Sequence, residues 1–220
     1  PSSFFWLQDY LQLEGLVYRF VPTASAGAGN GYEFGSVNTE KCYNLMVNPE
    51  GAAGKFNFGN MEVPDVFLDE TVRRSTFNLR ATYARTANAL ARAGQTEKAI
   101  EVLNTATSKM PVSKLGYDYF SLGLIEGYYV AGDAESAKAM TEGFKTDIVQ
   151  RLEYFAQFKG KQARQVRSEV EANMQYLQML ARMNLQYTVG MALTQEAYQA
   201  DPMVQLYEKY AQQFGIQQQQ

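Results

Sequence analysis

The sequence predicts a mainly α-helical chain of stacked helical hairpins with an irregular insert near its front, and three observations carry that reading. From Leu68 onward apolar residues recur every three or four positions, the spacing of one helix face. Two copies of an Ala-Gly turn, at Gly94 and Gly132, lie 38 residues apart. Between Ala24 and Asn60, by contrast, seven glycines and six asparagines fall with no sustained period, which is the signature of a loop.

Trp6, Tyr10, Leu13, Val17 and Phe20 stand at steps of four, three, four and three, and predict an N-terminal amphipathic helix within residues 1–22. Pro22 closes it, because proline disfavours helical geometry in the residue before it. Residues 23–67 form the Gly/Asn-rich irregular insert, with short strands suggested at Tyr32-Glu33-Phe34 and Lys55-Phe56-Asn57-Phe58. A loop of this length in a compact domain is functional or disordered.

The hairpin region spans residues 68–160. Asp69 can cap the first helix, whose stripe of Val72, Thr76, Leu79, Tyr83, Ala87 and Leu90 runs up to Gly94. A second helix near Thr96 to Lys109 is closed by Pro111, and a third near Asp118 to Ala131 ends at Gly132. The fourth runs from Asp133 towards Phe158, with Gly143 a weak point. Residues 161–220 hold C-terminal helices expected to pack on the repeats: a long capping helix over about Gln162 to Ala200, and a last one that Asp201-Pro202 restarts as N-cap and first helical residue. The stripe Val170, Met174, Leu177, Ala181, Leu185, Thr188 and Ala192 is flanked by a second, Tyr176, Leu180, Met183, Tyr187 and Met191. So wide a face needs partners on more than one side. Gln217 to Gln220 is a polar tail.

Ala93-Gly94-Gln95-Thr96-Glu97-Lys98-Ala99 matches Ala131-Gly132-Asp133-Ala134-Glu135-Ser136-Ala137 at Ala, Gly, Glu and Ala. Of the known helical repeats the tetratricopeptide is the nearest type, about 34 residues long. Tyr83, Leu90, Gly94, Ala99, Leu103, Ala106 and Pro111 fall at its large, small and proline positions. Repeat two keeps Tyr128, Gly132 and Ala137 but carries Phe144 where a small residue is expected. The fold class is therefore mainly α, with about two tetratricopeptide-like hairpins; an ordinary bundle sharing an Ala-Gly turn is the plain alternative. Two repeats are too few to stand alone, so flanking helices must cap the stack.

Composition narrows the function. The 220 residues carry 20 basic and 23 acidic side chains, a net charge of -3, without the basic excess of a nucleic-acid binder. There is no histidine, which removes Ser-His-Asp and Cys-His arrangements and histidine-ligated zinc. Cys42 is alone, so no internal disulfide framework exists. No run approaches the roughly 18 apolar residues that cross a bilayer. The start at Pro1-Ser2-Ser3, without methionine or a secretion-signal layout, suggests a segment of a longer polypeptide.

Candidate chemistry is thin. Gly27-Ala28-Gly29-Asn30-Gly31 resembles a phosphate-cradling loop but lacks the flanking strand and helix, and reads as a turn. Asp65, Asp69 and Glu70 could chelate calcium, yet a helix cap and first-turn acid explain them without an ion, so no metal or other cofactor is expected. Arg73, Arg74, Arg80 and Arg85, like Lys159, Lys161, Arg164 and Arg167, read as solvated or ion-paired faces. The methionines and tyrosines from Met174 to Met191 read as core packing. No nucleophile–base pair stands out. The concave face of a hairpin stack is the default binding surface, and in register it presents Asn88, Arg92, Tyr119, Glu126 and Tyr129.

Three stretches together carry a family resemblance. They are Tyr10-Leu11-Gln12-Leu13-Glu14-Gly15-Leu16-Val17-Tyr18-Arg19-Phe20-Val21-Pro22, then Phe56-Asn57-Phe58-Gly59-Asn60-Met61 running into Val66-Phe67-Leu68-Asp69-Glu70, and Asn78-Leu79-Arg80. They resemble the soluble C-terminal region of the bacterial protein O-mannosyltransferase-like membrane family, over about residues 7–140. The resemblance implies a many-span catalytic part upstream of Pro1 and places this fragment on the extracytoplasmic, periplasmic side, tethered to the inner membrane. The catalytic acids would belong to that upstream part.

Function is then expected to be non-catalytic: an interaction domain that binds or presents polypeptide for a membrane-bound glycosyltransferase-like protein. Its partners would be a polypeptide or its own membrane domain, without nucleic acid. Alternatives are a docking or dimerisation module using Trp6, Tyr10 and Val17 to form a homodimer, or a free periplasmic tetratricopeptide adaptor. A glycan hydrolase with paired carboxylates is the weakest reading.

Overall fold

The computed structural model describes residues 7–25, 34–47, 58–188, 190 and 194–216. It is mainly helical and divides into two compact units, Pro1–Asp133 and Ala134–Gln220. Among the described residues no helix is long and apolar enough to cross a membrane.

The first unit opens with a small mixed sheet in the order β2-β1-β3. Strand β1 (Leu11–Glu14) pairs antiparallel with β2 (Val17–Phe20) and parallel with β3 (Ser36–Val37). Residues 11–20 are thus strands, which corrects the helix expected within residues 1–22. The reason lies in Gly15, whose φ of 68° opens a two-residue Gly-Leu turn, a glycine-first hairpin geometry. Before it, Leu11-Gln12-Leu13-Glu14 alternates with period two; after it come Val17, Tyr18 and Phe20, β-branched or aromatic. The four-three spacing was a coincidence across that turn, and Trp6 lies outside the described residues.

Helix α1 (Thr39–Met46) stands within the region read as irregular, capped by Asn38, whose side chain accepts the Lys41 N–H at 3.2 Å. Of the strands suggested in that region, all but Phe34 and Phe58 lie outside the described residues, and neither of these two is in a strand. The glycine loop 27–31 is also outside them. Cys42 locks α1 to the sheet: its fully buried Sγ accepts the Gly15 N–H at 3.2 Å and donates to the Leu13 carbonyl at 3.3 Å. Burial pushes the thiol pKa up.

Helices α2 (Glu70–Arg92), α3 (Thr96–Lys109), the short α4 (Val112–Leu115) and α5 (Tyr119–Val130) follow, close to the sequence expectation. Asp69 caps α2, its Oδ1 accepting the Val72 N–H at 2.8 Å. Two equivalent glycine turns end α2 and α5. Gln95 N–H reaches the Leu90 carbonyl at 2.9 Å, and 38 residues on Asp133 N–H reaches that of Tyr128 at 2.9 Å. Gly94 and Gly132 adopt φ of 77° and 84°, open to glycine without a Cβ penalty.

Tyr83, Ala87 and Leu90 of α2 meet Ala99, Val102, Leu103 and Ala106 of α3, all buried. Helix α5 approaches both closely because it carries glycines at the contact. A Cβ on Gly127 would lie 2.9 Å from Leu103 Cδ2, and one on Gly123 would lie 3.1 Å from Ala84 Cβ. Arg80 is wholly buried, with 0% exposure, so its charge must be matched inside the fold. Its Nη1 donates to the Asp118 carboxylate and, at 2.8 Å, to the Gly116 carbonyl; Nη2 donates to the Met110 carbonyl at 3.0 Å. Asp118 meanwhile forms a capping box with Ser121 at the start of α5. One guanidinium therefore ties α2 to the end of α3 and the start of α5.

The second unit contains α6 (Ala134–Phe155), α7 (Gly160–Gln165), α8 (Arg167–Thr188), α9 (Gln195–Ala200) and α10 (Pro202–Phe214). Helix α8 packs on α6 and α10. Phe144, Ile148 and Leu152 of α6 supply the core with Val170, Leu177 and Leu185 of α8 and Tyr210 of α10, and the Phe144 and Tyr176 rings lie 5.7 Å apart. Helix α6 runs unbroken through Gly143. The single helix expected over 162–200 is instead three. It breaks at Val166, and again after Thr188, where Gly190 takes a φ of 68° that no helix accommodates. Asp201 and Pro202 cap and open α10 as the sequence predicts. The boundary at Asp133 and Ala134 falls inside the segment 68–160, so the second expected hairpin has its two helices in different compact units.

Arg80→Met should lower unfolding free energy by about 3–5 kcal/mol in urea titration, because Asp118 is left without its buried counter-charge. Alkaline pH should also weaken the fold through Tyr83, whose phenol donates to the Met46 carbonyl at 3.1 Å and whose pKa burial raises above 10.0. A raised folded value means stability is intact below the ordinary pKa and is lost as pH climbs from there towards the folded one. Urea titrations at pH 8 and pH 11 should show that fall, and Tyr83→Phe should make it shallower.

Candidate functional site

Helices α2 and α5 run parallel and in register, since Arg80 meets Asp118 and Ala84 meets Gly123. That register sets Asn88 level with Glu126 and Gly127, and Arg92 level with Val130. On α2, residues 81, 85, 88 and 92 form one strip by helical spacing. On α5, Tyr119 and Glu126 flank Gly123 on its face, separated along the axis by about 10 Å at 1.5 Å per residue. By this register Asn88 and Glu126 stand at one level, Arg92 one turn further on and Tyr119 two turns before.

Exposure divides the five expected residues. Arg92 and Tyr119 are exposed, and Glu126 is half-buried. Tyr129 is buried, and Asn88 is only 8% exposed. The Asn88 Oδ1 is sealed from solvent and finds no hydrogen-bond donor among the described residues. Such an oxygen is unfavourable in a fold, by about 1–3 kcal/mol. A primary amide offers one acceptor and two donors, the complement of a peptide group.

Arg85 forms the far border of the strip. Its Nη1 donates to the Tyr18 hydroxyl at 2.7 Å, and Nη2 donates to the carbonyls of Gly35, at 3.1 Å, and Phe34. The sheet is thereby clamped to α2 beside Asn88. The four arginines read as a solvated or ion-paired face divide: Arg73 is exposed, Arg74 is exposed and paired with Glu70, Arg80 is paired with Asp118 but buried, and Arg85 is a buried connector. For Arg80 a signal existed. It falls four residues after Thr76 and three before Tyr83, in phase with the apolar stripe, where a solvated arginine has no place. Arg85 carries no comparable mark.

Of the remaining candidates, Asp65 is exposed and several others have structural partners. Asp69 caps α2, and Glu70 pairs with Arg74 at 2.9 Å. Among the described residues no three carboxylates or thiols cluster as metal ligands would. Arg167 bonds Glu171 at 2.7 Å and the Phe214 carbonyl at 3.1 Å, whereas Lys159, Lys161 and Arg164 are exposed. Met174 is core, Met179 is exposed, and Met191 is outside the described residues. No protein-family model, curated protein or solved structure matches the chain.

Asn88→Leu should raise stability by about 1–3 kcal/mol in urea titration, since it removes an unpaired buried oxygen and keeps the branched shape of the side chain. A loss instead would mean that the amide is satisfied in solution.

Proposed function

We propose that this chain is a non-catalytic interaction domain, tetratricopeptide-like over α2 to α5, that binds polypeptide along the α2–α5 face. The observation that carries the reading is the in-register packing of two helices 38 residues apart, each ended by the same glycine turn. Parallel first helices side by side are how a hairpin stack presents a binding face. On that face Arg92 and Glu126 would select side chains of opposite charge, while Asn88 forms the nearly enclosed floor. Tyr119, at the far end of α5, offers a flat apolar contact.

The setting we propose rests on the resemblance over residues 7–140: the extracytoplasmic C-terminal part of a membrane-bound glycosyltransferase-like protein, holding acceptor polypeptide near the membrane. The family's sugar transfer would then lie with the upstream part.

Fluorescence anisotropy with labelled 12-residue unstructured peptides, titrated with the full 220-residue chain, tests the binding. We expect dissociation constants between micromolar and millimolar, weakened at least tenfold in the Arg92→Ala, Glu126→Ala double variant. Absence of binding at millimolar protein, or unchanged affinity in that variant, would refute the reading.

A further inference from the structure

We propose that the open edge of β2 binds an extended polypeptide segment of acidic and apolar residues as a fourth strand of the sheet. The site is separate from the α2–α5 face and does not depend on it.

The hairpin geometry fixes which backbone groups are open. Across the two-residue turn, Glu14 and Val17 are the closing, hydrogen-bonded pair, and alternation makes Gln12 and Arg19 the next. Val21 N–H bonding the Tyr10 carbonyl at 2.8 Å continues the series. Tyr18 and Phe20 therefore direct their N–H and C=O groups away from β1, and these meet no partner among the described residues. The next outward position is Pro22, which has no N–H and so ends the usable edge.

The side chains suit a docked strand. Val17 is 64% exposed and Phe20 is 57% exposed, with Leu16 and Tyr18 exposed beside them. Soluble proteins blunt such an edge with charges, proline or a bulge. Here Pro22 lies beyond the strand, the pairing with β1 has no bulge, and one charge, Arg19, interrupts the apolar run. That charge is only partly matched: Arg19 pairs with Glu14 at 3.6 Å, but the same carboxylate also receives the Lys41 ammonium at 2.9 and 3.0 Å, and the Arg19 side chain is 62% exposed.

Arg19 also argues against a second copy. Antiparallel self-pairing through the open groups allows three registers. Tyr18 opposite Phe20 sets Arg19 against Arg19, a like-charge pair. Phe20 opposite Phe20 places Tyr18 against Pro22, which cannot donate. Tyr18 opposite Tyr18 sets Arg19 against Val17. None supplies a carboxylate, whereas a foreign strand with glutamate or aspartate opposite Arg19 does.

The probe is a capped nine-residue peptide alternating valine with glutamate and threonine, compared with its lysine-for-glutamate twin. With the full chain, we expect amide exchange at Tyr18 and Phe20 to slow at least tenfold on saturation by the glutamate peptide. The lysine twin should bind at least tenfold more weakly, Arg19→Gln should remove that difference, and Val17→Lys should abolish binding. Arg92→Ala with Glu126→Ala should leave all of this unchanged, which separates this edge from the α2–α5 face. Val17→Lys alters a mostly exposed side chain, and circular dichroism would confirm its fold. Unchanged exchange at millimolar peptide, or equal binding of the twins, would overturn the proposal. So would a doubling of molecular size that Val17→Lys removes, because the edge would then belong to a second copy.

Discussion

The fully buried cation of Arg80 governs how the helices of the first unit are assembled. The Arg80 guanidinium has no access to water, and an unpaired charge there would be prohibitive. Two carbonyls and a carboxylate must therefore converge on it, and they come from the end of α3, the loop after α4 and the cap of α5. Packing of small residues brings α2, α3 and α5 together, but apolar contact alone is non-directional and would tolerate sliding. A planar, forked donor with named acceptors does not. Arg80 thereby fixes the register in which Ala84 meets Gly123.

Helices α3 and α5 were legible in the sequence because punctuation and periodicity agree there. Gly94, Pro111, Asp118 and Gly132 mark ends by backbone chemistry that needs no tertiary context. The sheet was not legible, because its apolar residues satisfy two periods at once and only the turn at Gly15 decides between them. The break after Thr188 was missed for a similar reason. Two apolar stripes run on past it, and a lone glycine is a weak mark against such continuity.

The candidate face was half legible. The 38-residue offset sets Asn88 level with Glu126, since a fixed offset between parallel helices is a geometric statement. Burial was not readable, because it depends on Arg85 drawing the sheet against α2 through Tyr18, Phe34 and Gly35. Those contacts span 50 residues or more, beyond the reach of any local pattern. Asn88 lies where sheet and helices meet, so a residue expected to line an open groove is nearly enclosed.

Gly127 has an implication for how this sequence can drift. Its missing side chain leaves the volume that Leu103 Cδ2 fills, and a β-carbon there would stand 2.9 Å from that methyl. A side chain gained at 127 would displace that methyl, the far end of a leucine that can turn aside, so the two sites would repack together.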